Sequence, residues 1–456
     1  MKTTHSAPSP FFYDAAGLAA LNQKMLQMAR DLGATDAATE VSESSGLSVT
    51  VRMGALETLE HTRDRGASVT VYLGQRRGHA TTSDLSDTAL RDAVQKALDI
   101  AKYTAEDPYA GLPEEADLAR GPHPSLDLFH TWQVTPEQAT DMAKEAEAAA
   151  RAVDRRIRNS DGASVSASHG QFCSANSRGF LGGYPYSRHF LSVAPIAQEK
   201  SAMQRDDWYT TSRNPSELAA PAEIGAYAAK RALSRLNARR LETQQIPVIF
   251  EAPIAVGLIG SLVQALSGSA LYRKASFLLD SMGKEIFFKD ISLVEDPFLP
   301  GASGSTPFDD EGVRVQRRKV IDAGRVAGYF LSSYSARKLG LPTTGNAGGS
   351  HNLELASRKN PPAGGLEGLL RLMGRGILVT EVMGQGVNPI TGDYSRGAFG
   401  YWVDQGQIQY PVEEFTIAGN LKDMYRGLVA IGGDTLTRGN KTSGSLLVDR
   451  MTIAGC

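Results

Sequence analysis

Hydrophobic positions recur in two rhythms along the chain. Helical spacing comes first: Leu18, Leu21, Met25, Met28, Ala29 and Leu32 share one face, between Asp14 as N-cap and Gly33 as stop. Period-two alternation follows at 39–52, 56–62 and 67–73, with 76–82 as one more strand. Gly54, Gly66, Gly74 and Gly78 read as the turn residues between them. Ser86 caps a helix reaching Tyr103, and a Pro-, Asp- and Gly-rich stretch at 105–134 reads as a linker. The order of elements then restarts. Thr135 opens a helix with Glu137 and Gln138 in its first turn. Strand-like runs follow at 156–169, 171–179, 189–199 and 202–211, with turns at 159–162 and 176–179, and then a helix at 221–236. This repeated plan predicts two α+β subdomains, 1–118 and 119–240, duplicated in pattern though not residue by residue.

Beyond residue 240 the texture changes. Ile246, Val248, Ile249 and Phe250 make a short buried strand, and Pro253 suits the first turn of a helix. Ile254, Leu258, Leu262 and Leu266 recur every four residues as one apolar stripe, with Gly268 as a stop. A strand pair turning at Gly324, the short helix SARKLG and the glycine-rich loop TTGNAGGSHN come next. The remainder is mostly strands, and Tyr401 to Tyr410 around DQGQ is the clearest hairpin. A β-rich domain, 241–456, is expected, giving an α+β chain overall.

Composition narrows the class. A formal net charge of −2 gives no electrostatic reason to expect a nucleic acid or an anionic membrane as partner. Two cysteines, Cys173 and Cys456, fit a reducing compartment. The first residues lack a signal peptide's apolar run, and no stretch of about 18 apolar residues occurs. A cytoplasmic protein is therefore expected.

Candidate chemistry is sparse. Eight histidines are scattered without H-E-x-x-H, H-x-H or C-x-x-C spacing. GASGS at 301–305 lacks the last glycine of a nucleophile elbow, and no phosphate-binding lysine follows a glycine loop. Asp309, Asp310 and Glu311 sit together, and Asp393 lies in TGDYSRG, but turn chemistry accounts for both.

The order of motifs is more informative. NSDGAS, SALYRKASFLLDSMGK, STPFDDEGVR, LSSYSARKLGLPTTGNAGGSHN, VTEVMGQGVNPITGDYSRGAFGYWV and IQYPVEEFTIAGNLKDM resemble the TldD/PmbA family, on its PmbA (TldE) side. The resemblance runs from about residue 20 to the end and is densest over 246–456. It implies two N-terminal α+β subdomains, a β-rich C-terminal domain and metalloprotease-like activity on peptides and unfolded segments in the bacterial cytoplasm. Known roles include peptide-antibiotic maturation and antitoxin degradation, and an old family name is modulator of DNA gyrase. In the TldD branch a helix carries H-E-x-x-x-H, and a Cys near the C-terminus completes a zinc site. Those helix positions fall here on Ser261, Leu262, Val263, Gln264, Ala265 and Leu266, and the Cys falls at about Ser443. Two serines and a leucine are not zinc ligands, and Leu262 cannot serve as general base.

The resemblance therefore implies a chain with no catalytic residue, cofactor or metal of its own, paired with a TldD-type homologous subunit that holds zinc. A homodimer in that partner's absence remains open. Such a chain would shape the chamber and bind extended peptide at strand edges. Gly345, Asn346, His351, Asp393 and Arg396 are the candidate groove walls. Two alternatives stand. One is a stand-alone metallopeptidase drawing ligands from His351, Asp309 and Asp393. The other is a non-proteolytic regulator acting on a protein partner.

Overall fold

The computed structural model describes residues 9–357 and 364–455. The chain folds as two compact units: residues 1–233 with 310–314, and 234–309 with 315–456.

The first unit contains α1 (Ala15–Asp31), β1 (Asp36–Arg52), β2 (Ala55–Leu73), β3 (Arg76–Thr82), α2 (Asp87–Tyr103), α3 (Pro136–Val153), β4 (Ile157–Asn176), β5 (Leu181–Glu199), β6 (Ala202–Arg205), β7 (Trp208–Ser212) and α4 (Pro221–Ser234). The helix starts follow the sequence. The Asp14 carboxylate accepts from the Gly17 N–H, Ser86 from the Ala89 N–H, and Thr135 and Gln138 form a reciprocal capping box. Both helix–strands–helix halves are present, and they share one seven-stranded sheet in the order β3-β2-β1-β4-β5-β6, with β7 also on β5. The join is β1 against β4, antiparallel from Ala38↔Asn176 to Val51↔Ala163. Val41, Val69 and Val71 face a core with Leu18, Met25, Leu90 and Val94 of α1 and α2. The alternate residues of β1, Ser42, Ser44, Ser48 and Thr50, stay half-buried, as expected of an antiparallel sheet with one open face.

Two expected breaks are not turns. The runs 56–62 and 67–73 form one strand, β2, in which Gly66 pairs with Ser42. Gly78 lies inside β3, where α2 crosses so closely that a Cβ would sit 1.8 Å from the Ala97 carbonyl oxygen. Both glycines have negative φ; Gly54 and Gly74, at φ +79° and +60°, are the actual turn glycines. Likewise 159–162 is a bulge within β4, at a register shift between Ser160 and Ala163, while 176–179 is the hairpin turn into β5. Propensity marks a glycine without saying whether φ or space requires it.

The second unit contains β8 (Gln244–Phe250), α5 (Ala252–Ala265), α6 (Gly268–Tyr272), β9 (Ile291–Asp296), β10 (Arg318–Asp322), β11 (Arg325–Val326), α7 (Ser333–Leu339), β12 (Asn352–Ser357), α8 (Leu366–Met373), β13 (Gly376–Met383), β14 (Asp393–Asp404), β15 (Gln407–Asn420), α9 (Leu421–Arg426), β16 (Leu428–Ile431), β17 (Leu436–Arg438), β18 (Lys441–Ser443) and β19 (Leu446–Ala454). One sheet runs β11-β10-β9-β12-β18-β17 and the other β15-β14-β13-β8-β19-β16. Thr416–Ala418 of β15 also pair with β19, so β8, β13, β14, β15 and β19 close into a ring. Closure removes the free edges that such strands would otherwise expose. The β14–β15 hairpin turns at Gln405 and Gly406, both at positive φ, the backbone a two-residue hairpin requires. A single core joins α5 to side chains of both sheets, including Val248, Leu293, Leu353, Ile377, Phe415 and Ile453.

Candidate functional site

Strand β8 delivers the chain into α5 at Glu251, with a proline in the first turn. The apolar stripe then decides the orientation of the helix. Leu258, Leu262 and Leu266 are buried, at 5 %, 1 % and 0 % exposure. Leu258, Ile259 and Leu262 meet Phe287, Leu355, Tyr425, Leu428, Leu446 and Val448 around a cavity of about 10 Å³. A void that small with such a lining stays dry. The Tyr425 hydroxyl donates to the Leu258 carbonyl at 2.9 Å, and complete burial pushes its phenol far above the ordinary tyrosine value.

Ser261, by contrast, is half-exposed, and its hydroxyl is spent on the Gly257 carbonyl one turn back at 3.2 Å. Helix α5 packs against β17 and β18, so Ser443 is brought to the neighbourhood of this helix. Its buried hydroxyl donates to the Gly444 carbonyl at 2.9 Å. Ser261, Leu262, Leu266 and Ser443 therefore carry two locally satisfied hydroxyls and two core leucines. This donor set does not fit zinc, which takes thiolate, imidazole or carboxylate. Among the described residues, no group of three His, Cys, Asp or Glu side chains is arranged to hold a metal ion.

The glycine-rich loop between α7 and β12 is organised by a residue that sequence reasoning missed, Glu295 at the end of β9. It is fully buried. Its Oε1 accepts from the His351 backbone N–H at 2.8 Å, the Asn346 amide at 2.8 Å and His351 Nδ1 at 3.0 Å, while Oε2 accepts from Arg318 Nε at 2.7 Å. Arg318 also donates to Asn346 Oδ1 at 3.0 Å and lies over the Phe330 ring. Burial alone would raise the Glu295 pKa. The His351 hydrogen bond and the Arg318 and His351 charges outweigh it and hold the carboxyl below its ordinary value. No local motif could have pointed to Glu295, 56 residues from His351.

Asn346 and His351 are thus buried from below, and Gly345, at φ +69°, is buried with them. What the loop presents outward is backbone at Gly348 and Gly349. Asp309 accepts from the Ala347 N–H at 3.0 Å and anchors the loop from another side. Asn440, preceding β18, donates to the Ser350 and His351 carbonyls at 2.7 and 2.9 Å, so the loop and the Ser443 strand are joined.

Asp393 and Arg396 lie elsewhere, on β14. Asp393 accepts from the Thr391 hydroxyl at 2.6 Å and the Asn420 amide at 3.0 Å, and these bonds hold its carboxyl below the usual range. That is turn chemistry. Arg396 is half-buried, and its Nε has no hydrogen-bond partner among the described residues. In the first unit Cys173 is a buried free thiol, pushed up to about 11 by burial and then by Glu40, which fits an inert packing residue. Cys456 lies outside the described residues. No helix among them is long and apolar enough to cross a membrane.

Comparison with known proteins shows the family. Models of the PmbA/TldA metallopeptidase domain 1, central domain and C-terminal domain match residues 38–101, 129–236 and 243–455. The chain is 49 % identical over 417 residues to Metalloprotease PmbA of Escherichia coli O157:H7, covering 91 % of each. It is 45 % identical over 430 residues to a PmbA homologue of Haemophilus influenzae, covering 94 % of each. Among solved structures, a modulator of DNA gyrase from Bacteroides thetaiotaomicron superposes with a TM-score of 0.90 at 28 % identity, over 96 % of this chain and 98 % of that one. TldE from Thermococcus kodakarensis, at 20 % identity, shares the fold with a TM-score of 0.82 over 95 % and 100 % of the two chains. The family models and these relatives define a metalloprotease-like α+β protein. Within that class, the chain belongs to the PmbA/TldD family, on its PmbA side.

Proposed function

We propose that this chain is the non-metal subunit of a heteromeric cytoplasmic peptidase, acting with a TldD-type homologue that supplies zinc and the general base. The observation that carries the reading is the fate of α5. Where a zinc helix would present imidazoles and a carboxylate, Leu262 and Leu266 complete the core and Ser261 bonds to its own helix. The relatives named Metalloprotease PmbA support a peptidase setting. The chain's part is to shape the chamber and to hold extended peptide.

The topology supports one site for that peptide. Strand β17 ends its sheet and packs against α5, a helix whose less buried positions include Gly257, Gly260 and Ser261. Small residues leave room for a second backbone beside the helix. A peptide adding to β17 would gain main-chain hydrogen bonds that are indifferent to its sequence. The exposed backbone at Gly348–Gly349, in the loop joined to β18 through Asn440, is the candidate wall, whereas Asp393 and Arg396 lie on β14 of the other sheet.

The test is metal content and cleavage of an unfolded peptide by the chain alone, and again after mixing with a TldD-type partner. Absence of zinc and of activity alone, with activity on mixing, is expected. Stoichiometric zinc with chelator-sensitive cleavage by the chain alone would overturn the proposal and direct attention to His351, Asp309 and Asp393.

A further inference from the structure

The α5 side of the β17–β18 hairpin carries a cation with no counter-ion among the described residues. Thr437 and Thr442 are opposed in the hairpin and their hydroxyls meet at 2.8 Å, which settles one face. Leu436, Arg438, Lys441 and Ser443 therefore share the other, with Arg438 directly opposite Lys441. That face is the one α5 covers. Lys441 pairs with Leu353 of β12, whose side chain belongs to the core that α5 completes. The Lys441 Cε lies 4.0 Å from where a Cβ on Gly260 would be, so the half-buried stem runs along the helix as a snorkelling lysine does. The head, however, does not end on an acid. Among the described residues the Lys441 ammonium has one hydrogen-bond partner, the Asn440 side-chain oxygen at 2.8 Å, and no ion pair. Burial pushes it below the usual lysine value, with no neighbouring carboxylate to oppose the shift. Two of its three N–H groups are left to donate. A like charge directly opposite makes the arrangement costlier still.

Granted the peptide-holding reading above, we propose that Lys441, with Arg438 beside it, is the anion pole of that groove and takes a carboxylate of the bound peptide. Position argues for this occupant. Strand β17 has 3 residues, so a strand added to it gains a ladder of only ~10 Å, at ~3.4 Å per residue. Main-chain bonds over that length are few, and a charge-assisted hydrogen bond at the end of the ladder supplies affinity that they do not. Arg438 is the last residue of β17, and Lys441 lies one strand behind it, past the turn at Gly439 and Asn440. A peptide running parallel to β17 brings its C-terminus to this pole, whereas an antiparallel one brings an ammonium, which two cations repel. A terminal carboxylate therefore also fixes the direction of the peptide. An Asp or Glu side chain offers the same chemistry without that constraint. Asn440 ties the pole to the glycine-rich loop, since its amide donates to the Ser350 and His351 carbonyls while its oxygen holds Lys441.

Isothermal calorimetry tests the pole with defined titrants: a short N-acetylated Thr/Val/Ser peptide ending in a free carboxylate, the same peptide ending in an amide, and the amide carrying a Glu. The full chain is used with a TldD-type partner stripped of metal by a chelator, so that binding is read without cleavage. A carboxylate should tighten binding at least about tenfold over the plain amide, the worth of one hydrogen bond to a charged group. The gain falls on the free acid if the pole takes the C-terminus, and on the Glu peptide if it takes acidic side chains. K441M, which keeps the stem against Gly260 and removes the charge, should bind all the peptides alike, and K441R should restore the preference. If K441M does not fold by circular dichroism, R438Q reads the same pole and should narrow the gap. A wild-type chain that gains from neither carboxylate, or a gain that K441M leaves intact, would overturn the proposal while leaving the groove in place. Absence of binding by every peptide would instead overturn the peptide-holding reading, and the anion pole with it.

Discussion

Replacing Glu295 by Gln tests whether the glycine-rich loop is held by a buried charge. The carboxylate is fully buried and accepts four hydrogen bonds, three of them on Oε1. Glutamine keeps the shape but brings an NH₂ group that must face either Arg318 Nε or the three donors from Asn346 and His351. Two donors then point at each other, and the Arg318 guanidinium, 12 % exposed as a side chain, loses its counter-ion. Removing one partner of a buried pair costs ~3–5 kcal/mol, because the remaining charge is uncompensated. At about 1.4 kcal/mol per tenfold, that is a hundredfold or greater rise in the opening equilibrium of this region.

Peptide-resolved hydrogen exchange over β9, the 343–352 loop and β12 reads this directly, without assuming that both units unfold together. The pH dependence adds a second check. The folded-state pKa of Glu295 lies below its ordinary 4.5, so the carboxylate contributes its stabilisation fully above that value. The contribution fades as pH falls through the depressed folded-state pKa, and the wild-type and E295Q curves should converge there. A variant with wild-type protection at pH 7, or a gap that does not narrow in acid, would refute the reasoning.

Other outcomes follow from single sites. Leu262→Ala should cost ~3–5 kcal/mol, because the dry cavity beside it cannot take water to refill the space; a loss below about 1 kcal/mol in denaturant unfolding would show that α5 is not core. His169 and His189 meet edge to face in the first unit, with ring centroids 5.3 Å apart, and burial first, then the neighbouring imidazole, lowers the His169 pKa from 6.5 to about 4. The folded state thus binds fewer protons than the unfolded one, so the first unit should lose stability as pH falls from about 6.5 towards 4, and H169Q should flatten that slope in acid titrations of stability. Gly78→Ala should destabilise the α2–β3 contact by ~1–3 kcal/mol or more, since its Cβ would meet the Ala97 carbonyl. Gly74→Ala, with nothing near its Cβ, should cost ~1 kcal/mol through φ alone, and thermal unfolding would separate the two.

The helices and most strands were legible because their signals are local. Asp14, Ser86 and Thr135 are caps that report on residues three away, and the Leu258–Leu262–Leu266 stripe fixes the buried face of α5 by period alone. The misread glycines mark where local reasoning ends. Gly66 and Gly78 look like Gly54 and Gly74 in sequence, and only the crossing of α2 over β3 shows that Gly78 is there for space rather than for φ. The same limit applies at the site. His351 drew attention because a histidine in a glycine-rich loop suggests chemistry, yet its imidazole is turned inward onto a carboxylate 56 residues away. Neither the ring closure of β15 on β19 nor the placement of Ser443 beside α5 is written in any window of the chain, because both depend on pairings between distant strands. What the sequence did carry was chemical identity. A leucine at 262 cannot abstract a proton whatever the fold around it, and the structure adds the physical reason for its presence: the position is packed in the core, where a carboxylate would be expensive.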